Sequence, residues 1–335
     1  MPLTLDDAIT YEKELMHSGV CLAQSFDAIH CSCGGETIGS HSIARQALLK
    51  RIAENGEVYV WEQNPAKMLY RNTIGCDAGI ELTKRGIKKA SVFHGFCKNH
   101  DELLFNRIDS PIVSFDKEVL LQMHYRAISY EYFHKKTSIR FLEYVLDNSV
   151  YNAEMDQFIS NNKLGLSDLE LEKKACESAY GDKNANDSVK AVVYSFDTDI
   201  PVICVSSFLP CYTVDGHPFF ESMEVEHAPS IGLTLGMDVN NHAFWALTYT
   251  RFDEYVKKFL DNLDLYRNKW LLDIAVLFSL HFSQNACCCP SWYDKLQKWQ
   301  KKCIVRGFNR LSEYDNEPVT GIRILNKNYN VERVL

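Results

Sequence analysis

The chain has 335 residues, of which 46% are hydrophobic and 24% charged, so it can bury a full core and should form about two domains. Its formal net charge of −8 excludes indiscriminate attraction to nucleic acid, and any such surface must be a local basic patch. No apolar run approaches the roughly 20 residues that span a bilayer, and the first residues are acidic where a signal peptide is basic and then apolar. We therefore expect a cytoplasmic protein without a membrane partner, whose 12 cysteines are reduced thiols or metal ligands.

The N-terminal third is predicted to alternate short helices and strands. Thr4 and Ser42 are suited to cap two helices, because a side-chain oxygen at the cap accepts an otherwise free backbone N–H. The expected elements are helices at residues 5–16, 43–54 and 97–105, strands at 58–61 and 90–93, and a loop at 71–87.

The rest of the chain changes from helices to strands and back to helices. Aromatic and aliphatic residues at helical spacing predict a long helix at 115–146, and a polar stretch at 161–187 is expected to contain a domain boundary. The later elements are strands at 189–196, 202–207, 230–237 and 243–249, then helices at 252–263, 270–282 and 292–306. This order predicts an α+β fold with an N-terminal domain at 1–110, a helical connector at 111–160, and a C-terminal α+β domain at 185–335 whose antiparallel or mixed sheet is covered by helices.

Two groups of Cys and His in the first third have the spacing of zinc ligands: His30, Cys31 and Cys33, and then Cys97 and His100. The second pair is separated by two residues at a predicted helix start, so both side chains can reach one ion. In the first group, Cys33 can pair with the histidine or with the nearer cysteine, and the two glycines that follow permit a tight turn with either. The sequence predicts one structural Zn²⁺ site whose fourth ligand is open between His30 and Cys31.

Longer motifs surround these ligands: Ser40-His41-Ser42-Ile43, Gly95-Phe96-Cys97-Lys98-Asn99-His100-Asp101, and a late Pro290-Ser291-Trp292. Their order resembles the treble clef of the HNH, or ββα-metal, nucleases. It is also similar to a group of uncharacterised bacterial proteins with Ala/Ser-His-Ser-Ile, Gly-Phe-Cys-x-x-His-Asp and Pro-Ser-Trp segments. The resemblance covers about residues 28–108 and, more weakly, 290–296.

The resemblance implies a zinc-stabilised nuclease in a bacterial setting such as defence against foreign DNA. In that family a His after the first ligand group is the general base, and the residue after the second binds the catalytic metal, which gives His41 and Asp101 here. The implied reaction is phosphodiester hydrolysis, in which His41 deprotonates water while Mg²⁺ or Mn²⁺ neutralises the developing charge. The chain departs from the family in its long insert between His41 and Cys97, and the middle Asn of the motif has two candidates, Asn72 and Asn99.

Two runs of basic residues without carboxylates could contact a nucleic-acid backbone. The first precedes and enters the second ligand group and consists of Lys84, Arg85, Lys88, Lys89 and Lys98. The second lies near the C-terminus and consists of Lys295, Lys298, Lys301, Lys302, Arg306 and Arg310. Either run can instead be a solvated face. The first run predicts DNA or RNA as a partner.

The alternative function is a non-catalytic module, in which zinc only stabilises the fold and the C-terminal domain binds a protein or a small molecule. The net acidity and the long insert favour it. Cys287-Cys288-Cys289 is expected to be a packed loop, because consecutive cysteines cannot all face one ion. Cys211 with Asp215, His217 and His227 is a further nucleophilic arrangement that the sequence alone cannot orient.

Overall fold

The computed structural model describes residues 3–26, 32–61, 81–148, 153–181, 188–219, 227–267, 270–310 and 318–335. Within these ranges the helices are α1 (Leu5–His17), α2 (Lys50–Ile52), α3 (Lys98–Phe105), α4 (Lys117–Asp147), α5 (Ala153–Gly181), α6 (Glu254–Asp264), α7 (Leu271–Phe282), α8 (Pro290–Lys295) and α9 (Lys298–Arg310). The strands are β1 (Thr37–His41), β2 (Glu57–Trp61), β3 (Leu82–Gly86), β4 (Val92–Cys97), β5 (Lys190–Phe196), β6 (Val202–Phe208), β7 (Ile231–Met237), β8 (Ala243–Tyr249), β9 (Ala286–Cys288) and β10 (Val331–Arg333). The predicted α+β class is confirmed.

Eight strands of the described residues form one sheet in the order β10-β5-β8-β7-β6-β9-β2-β3, and every neighbouring pair is antiparallel. The short strand β9 pairs with β6 on one side and with β2 on the other. It thereby connects β2 and β3, from the N-terminal third, to the strands of the C-terminal half. The division into domains at 1–110, 111–160 and 185–335 stays a prediction.

Helices cover both faces of this sheet. Along β8, Phe244 and Ala246 belong to the core shared with α4, whereas Trp245 and Leu247 belong to the core shared with α7. Successive side chains of a strand point to opposite faces, so this alternation places α4 and α7 on opposite sides. Since both faces are buried, β7 and β8 contain no exposed residue. None of the described helices is both long and apolar enough to cross a bilayer.

A second, two-stranded sheet contains two of the predicted site residues, His41 and Cys97. β1 and β4 pair antiparallel, with Thr37 opposite Cys97 and His41 opposite Val92. Phe93 of β4 packs edge-on against Tyr130 of α4 at a ring separation of 5.5 Å. The small sheet is therefore anchored to the central helix by buried aromatic contacts.

Several local predictions were wrong because tertiary contacts decide the structure. The expected helix at 43–54 is a π-helical turn at Arg45–Leu49 that runs into the short α2. Ser42 does not cap it, since its hydroxyl donates to the Ser91 carbonyl at 3.0 Å. The expected loop at 71–87 contains β3, which pairs with β2, and its residues 71–80 lie outside the described residues. The predicted last helix is divided into α8 and α9.

Candidate metal centre

Three cysteines and one histidine lie close together beside the small sheet. The ligand atoms of Cys21, Cys33, Cys97 and His100 all lie within 4.8 Å of one another. In a tetrahedral zinc site, with Zn–S about 2.3 Å and Zn–N about 2.0 Å, neighbouring ligand atoms stand roughly 3.5–3.8 Å apart. The four residues are positioned to bind a metal ion, and the donor set of three thiols and an imidazole fits zinc.

The junction of β4 and α3 supplies two of the four ligands. Cys97 is the last residue of β4, and His100 lies in the first turn of α3 and is 1% exposed. The Nδ1 atom of His100 lies 3.2 Å from the Cys21 sulfur and 3.5 Å from the Cys97 sulfur. The imidazole therefore turns Nδ1, rather than Nε2, toward the thiols.

Backbone N–H groups point at the sulfur atoms. The amides of Gly34 and Gly35 donate to the sulfurs of Cys97 and Cys33, each at 3.4 Å, and the Cys97 amide donates to the Cys21 sulfur at 3.4 Å. The turn requires glycine at position 35, because its φ is +77°. Such donors stabilise thiolates, the form in which cysteine binds a metal.

The thiols differ in how readily they ionise in the absence of a cation. Burial acts to raise the pKa of the Cys97 thiol, but hydrogen bonds from backbone N–H groups, including that of Gly34, outweigh it and lower this pKa. Burial raises the pKa of Cys21 to about 12. A bound divalent cation would supply the positive charge that both thiolates need.

The structure brings together three of the predicted zinc ligands, Cys33, Cys97 and His100, and adds Cys21. The two residues that compete for the fourth position in the sequence, His30 and Cys31, lie outside the described residues. Sequence reasoning missed Cys21 because it stands 12 positions before Cys33, far from the short spacing of a ligand pair.

Tertiary contacts bring the Cys21 segment to the site. The Leu22 amide donates to the Gly95 carbonyl of β4 at 2.8 Å, and Val20 pairs with Glu36. On the other side, the Asn99 side chain donates to the Ser32 carbonyl at 3.1 Å and ties α3 to the turn that carries Cys33. Asn72, the other candidate for the middle Asn, lies outside the described residues.

His41, the predicted general base, ends β1. Its Nε2 lies 3.1 Å from the Ile87 carbonyl oxygen, and because a carbonyl only accepts, Nε2 carries the hydrogen. Burial is the main cause that lowers the His41 pKa, and the nearby positive charges of Arg45 and Arg126 lower it further. At neutral pH the ring is therefore neutral, with a lone pair on Nδ1.

Asp101, the predicted catalytic-metal ligand, faces a buried arginine. Its Oδ1 lies 3.8 Å from Nη2 of Arg126, whose side chain is 2% exposed and also donates to Asp109 at 2.6 Å. Burial raises the pKa of Asp101, and the Arg126 charge acts against that shift. Mg²⁺ and Mn²⁺ need several oxygen ligands; among the described residues only the Cys and His cluster has metal-site geometry. The role of Asp101 as a catalytic-metal ligand stays a prediction.

The five basic residues of the first run are spread over three places. Lys88 and Lys89 are exposed in the turn between β3 and β4. Lys84 on β3 lies 3.5 Å from Asp294, and Lys98 on α3 forms an exposed pair with Glu102 at 3.8 Å. Arg85, half-buried on β3, lines a small cavity beside Asn285. Of the five, Lys88 and Lys89 adjoin the Ile87 carbonyl that accepts from His41.

The cysteines outside the metal centre that the sequence singled out are the run Cys287-Cys288-Cys289 and Cys211. Cys287 and Cys288 are buried in β9 within the sheet, and burial raises the pKa of Cys211 to about 12. Asp215 accepts hydrogen bonds from the side chains of Asn262 and Tyr266. The raised pKa disfavours the nucleophilic thiolate of Cys211, and its arrangement with a histidine stays a prediction.

The order of elements around the metal centre is the segment with Cys21, a turn with Cys33, the strand β1, a long insert, the strand β4 that ends with Cys97, and α3 with His100. The paired strands and the helix enclose the ligands, and His41 lies at the far end of β1. Comparison of the chain with protein families, curated proteins and solved structures gave no match.

Proposed function

We propose that this chain is a zinc-stabilised nucleic-acid-binding protein. The zinc ion would be structural, since four protein ligands complete its tetrahedral shell and leave no position for water or substrate. The strand, strand and helix around it resemble the treble clef of the HNH nucleases. In this proposal zinc fixes the end of β4, and the other end of the small sheet contacts the nucleic acid.

One observation carries the proposal: the hydrogen bond between His41 and the Ile87 carbonyl. It holds the β3–β4 turn against the end of β1. Lys88 and Lys89 follow Ile87 directly in this turn, and both are exposed. Arg45 also acts on His41 as a neighbouring positive charge. A locally positive surface on a chain of net charge −8 suits a phosphate backbone.

Charge reversal in the turn tests the proposal. A variant with Lys88→Glu and Lys89→Glu is expected to bind a short fluorescein-labelled oligonucleotide about 10- to 100-fold more weakly in fluorescence polarisation. The slope of log affinity against log salt should fall by about 2, because each lysine neutralises about one phosphate.

The matched control reverses two adjacent lysines elsewhere, Lys257→Glu and Lys258→Glu on α6. These residues are exposed and pair with Asp261 and Glu254. The change in net charge is the same as in the first variant, but it falls on a different element. Equal loss of affinity in both variants would show a general charge effect and would refute this binding site. If the unaltered chain binds neither DNA nor RNA, the non-catalytic module that binds a protein or small molecule becomes the better proposal.

Phosphodiester hydrolysis is a second candidate function, favoured by the state of His41. A neutral imidazole whose Nε2–H is fixed by a carbonyl presents its Nδ1 lone pair in one orientation, as a general base requires. We propose His41 as the base and place the reaction beside Lys88 and Lys89. Bacterial antiviral defence would be one setting for such an activity.

A further inference from the structure

The two basic runs, separate in sequence, meet on one surface. Lys84 of β3 lies 3.5 Å from Asp294 of α8, and the same carboxylate accepts a hydrogen bond from Tyr59 of β2 at 2.8 Å. Tyr59 and Asp294 are 235 positions apart. Tyr293 of α8 and Phe308 of α9 also pack on rings of β2, so the two helices lie beside β2 and β3 and bring the second basic run to the first.

Aromatic rings link the cations of this surface. The Lys84 ammonium lies 5.4 Å from the centre of the Tyr59 ring, and the Lys301 ammonium lies 5.0 Å from the centre of the Tyr293 ring. The two tyrosine rings are 4.7 Å apart. One continuous row of side chains therefore runs from β3 to α9 and consists of Lys84, Tyr59, Tyr293 and Lys301.

The outer face of α9 continues this row with charges of one sign. Gln300, Ile304 and Phe308 are buried and fix the inner face of the helix. The opposite face carries four exposed residues, Lys298, Trp299, Lys302 and Arg306. Trp299, Lys302 and Arg306 follow one another at spacings of three and four residues, so they form one stripe. No acidic residue occurs between positions 295 and 310.

Trp299 is the unusual member of this face. It is 52% exposed, although a tryptophan on a helix normally buries its ring against the core. Its indole N–H donates to the Gln297 side chain, which holds the ring at the surface. An aromatic face between cations matches the two features of unpaired nucleotides, a flat base and a phosphate.

We propose that the outer face of α9 binds single-stranded nucleic acid, with Trp299 stacked on an unpaired base and Lys298 and Lys302 contacting phosphates. This inference rests on the proposed nucleic-acid-binding function and names the strand form that it takes. Paired bases in a duplex do not expose their faces, whereas every unpaired base can stack. The negative charge of Asp294 is offset by the Lys84 ammonium, and its carboxylate also accepts the Tyr59 hydrogen bond.

The experiment compares single-stranded and duplex oligonucleotides of the same sequence, for DNA and for RNA, in fluorescence polarisation. Trp299→Ala is expected to weaken single-strand binding about 10-fold and to leave duplex binding within about 2-fold, since stacking serves unpaired bases. Lys298→Glu with Lys302→Glu should lower the salt slope by about 2. Phe158→Ala on α5, which removes an aromatic ring that is 55% exposed, is the matched control and should bind like the unaltered chain.

The outcomes separate this inference from the function on which it rests. If Lys88→Glu with Lys89→Glu weakens binding but Trp299→Ala does not, the nucleic-acid function stands and the α9 site is wrong. If the unaltered chain binds no oligonucleotide, both are wrong. Binding to phosphatidylserine vesicles in place of oligonucleotides, lost in the α9 lysine variant, would also overturn the site and identify a membrane-surface helix.

Discussion

Replacement of Cys97 by serine is expected to release the metal and unfold the region around β1, β4 and α3. Structural zinc contributes an apparent binding free energy of about 10–16 kcal/mol, comparable to the whole stability of a typical domain at about 5–15 kcal/mol. Cys97 is 1% exposed and belongs to the aromatic core shared with α4. Its replacement therefore disturbs this core as well as the metal site.

Metal content and thermal unfolding measure this effect. The purified chain should contain about one zinc ion, and Cys97→Ser should contain none and melt at a clearly lower temperature. Cys204→Ser is the matched control, because Cys204 is fully buried in β6 but lies outside the metal centre. It should keep the zinc. A Cys97→Ser variant with unchanged metal content and melting temperature would refute the site.

The same assay decides the fourth ligand. Cys21→Ser is expected to lose zinc like Cys97→Ser, because the Cys21 sulfur lies 3.2 Å from Nδ1 of His100. His30→Ala and Cys31→Ser are expected to keep it. Zinc loss in either of those two variants, with retention in Cys21→Ser, would return the fourth position to the residues that local spacing favours.

The contrast between these residues shows what sequence can predict about the site. Cys97 and His100 are recognisable because they stand three positions apart across the junction of β4 and α3, where spacing determines geometry. Cys21 reaches the site through the hydrogen bond from Leu22 to the Gly95 carbonyl, a contact between distant segments that leaves no periodic signal.

The strands of the large sheet also differ in how far they could be predicted from the sequence. Apolar residues made β7 and β8 predictable as strands, because both are buried along their whole length. β3 has the sequence Leu-Thr-Lys-Arg-Gly, in which only Leu82 is buried, and it is a strand because β2 offers it a partner. The two basic runs meet at Asp294 because of this pairing, so their proximity could not be predicted from the sequence either.

Replacement of His41 by alanine has the second large expected effect, on hydrolysis of a single- or double-stranded oligonucleotide with Mg²⁺ or Mn²⁺ in the buffer. A general base contributes about 10²- to 10⁴-fold to a rate, so cleavage should fall by that factor while affinity changes little. His242→Ala, an exposed histidine beyond β7, is the control and should cleave normally. Equal cleavage by His41→Ala would end the nuclease proposal and leave the binding function intact.

The pH profile distinguishes a base from a merely structural histidine. Burial and two arginines lower the pKa of His41 below its ordinary value of 6.5. A base acts only when deprotonated, so the rate should stay constant as pH falls through 6.5 and decline only below it.

The substitution Asp101→Asn separates two roles of that carboxylate. If Asp101 is a cation ligand, the variant should lose cleavage at every pH. If Asp101 is only a partner of Arg126, the variant should lose thermal stability and keep the pH profile of cleavage. The pairing with Arg126 favours the second result.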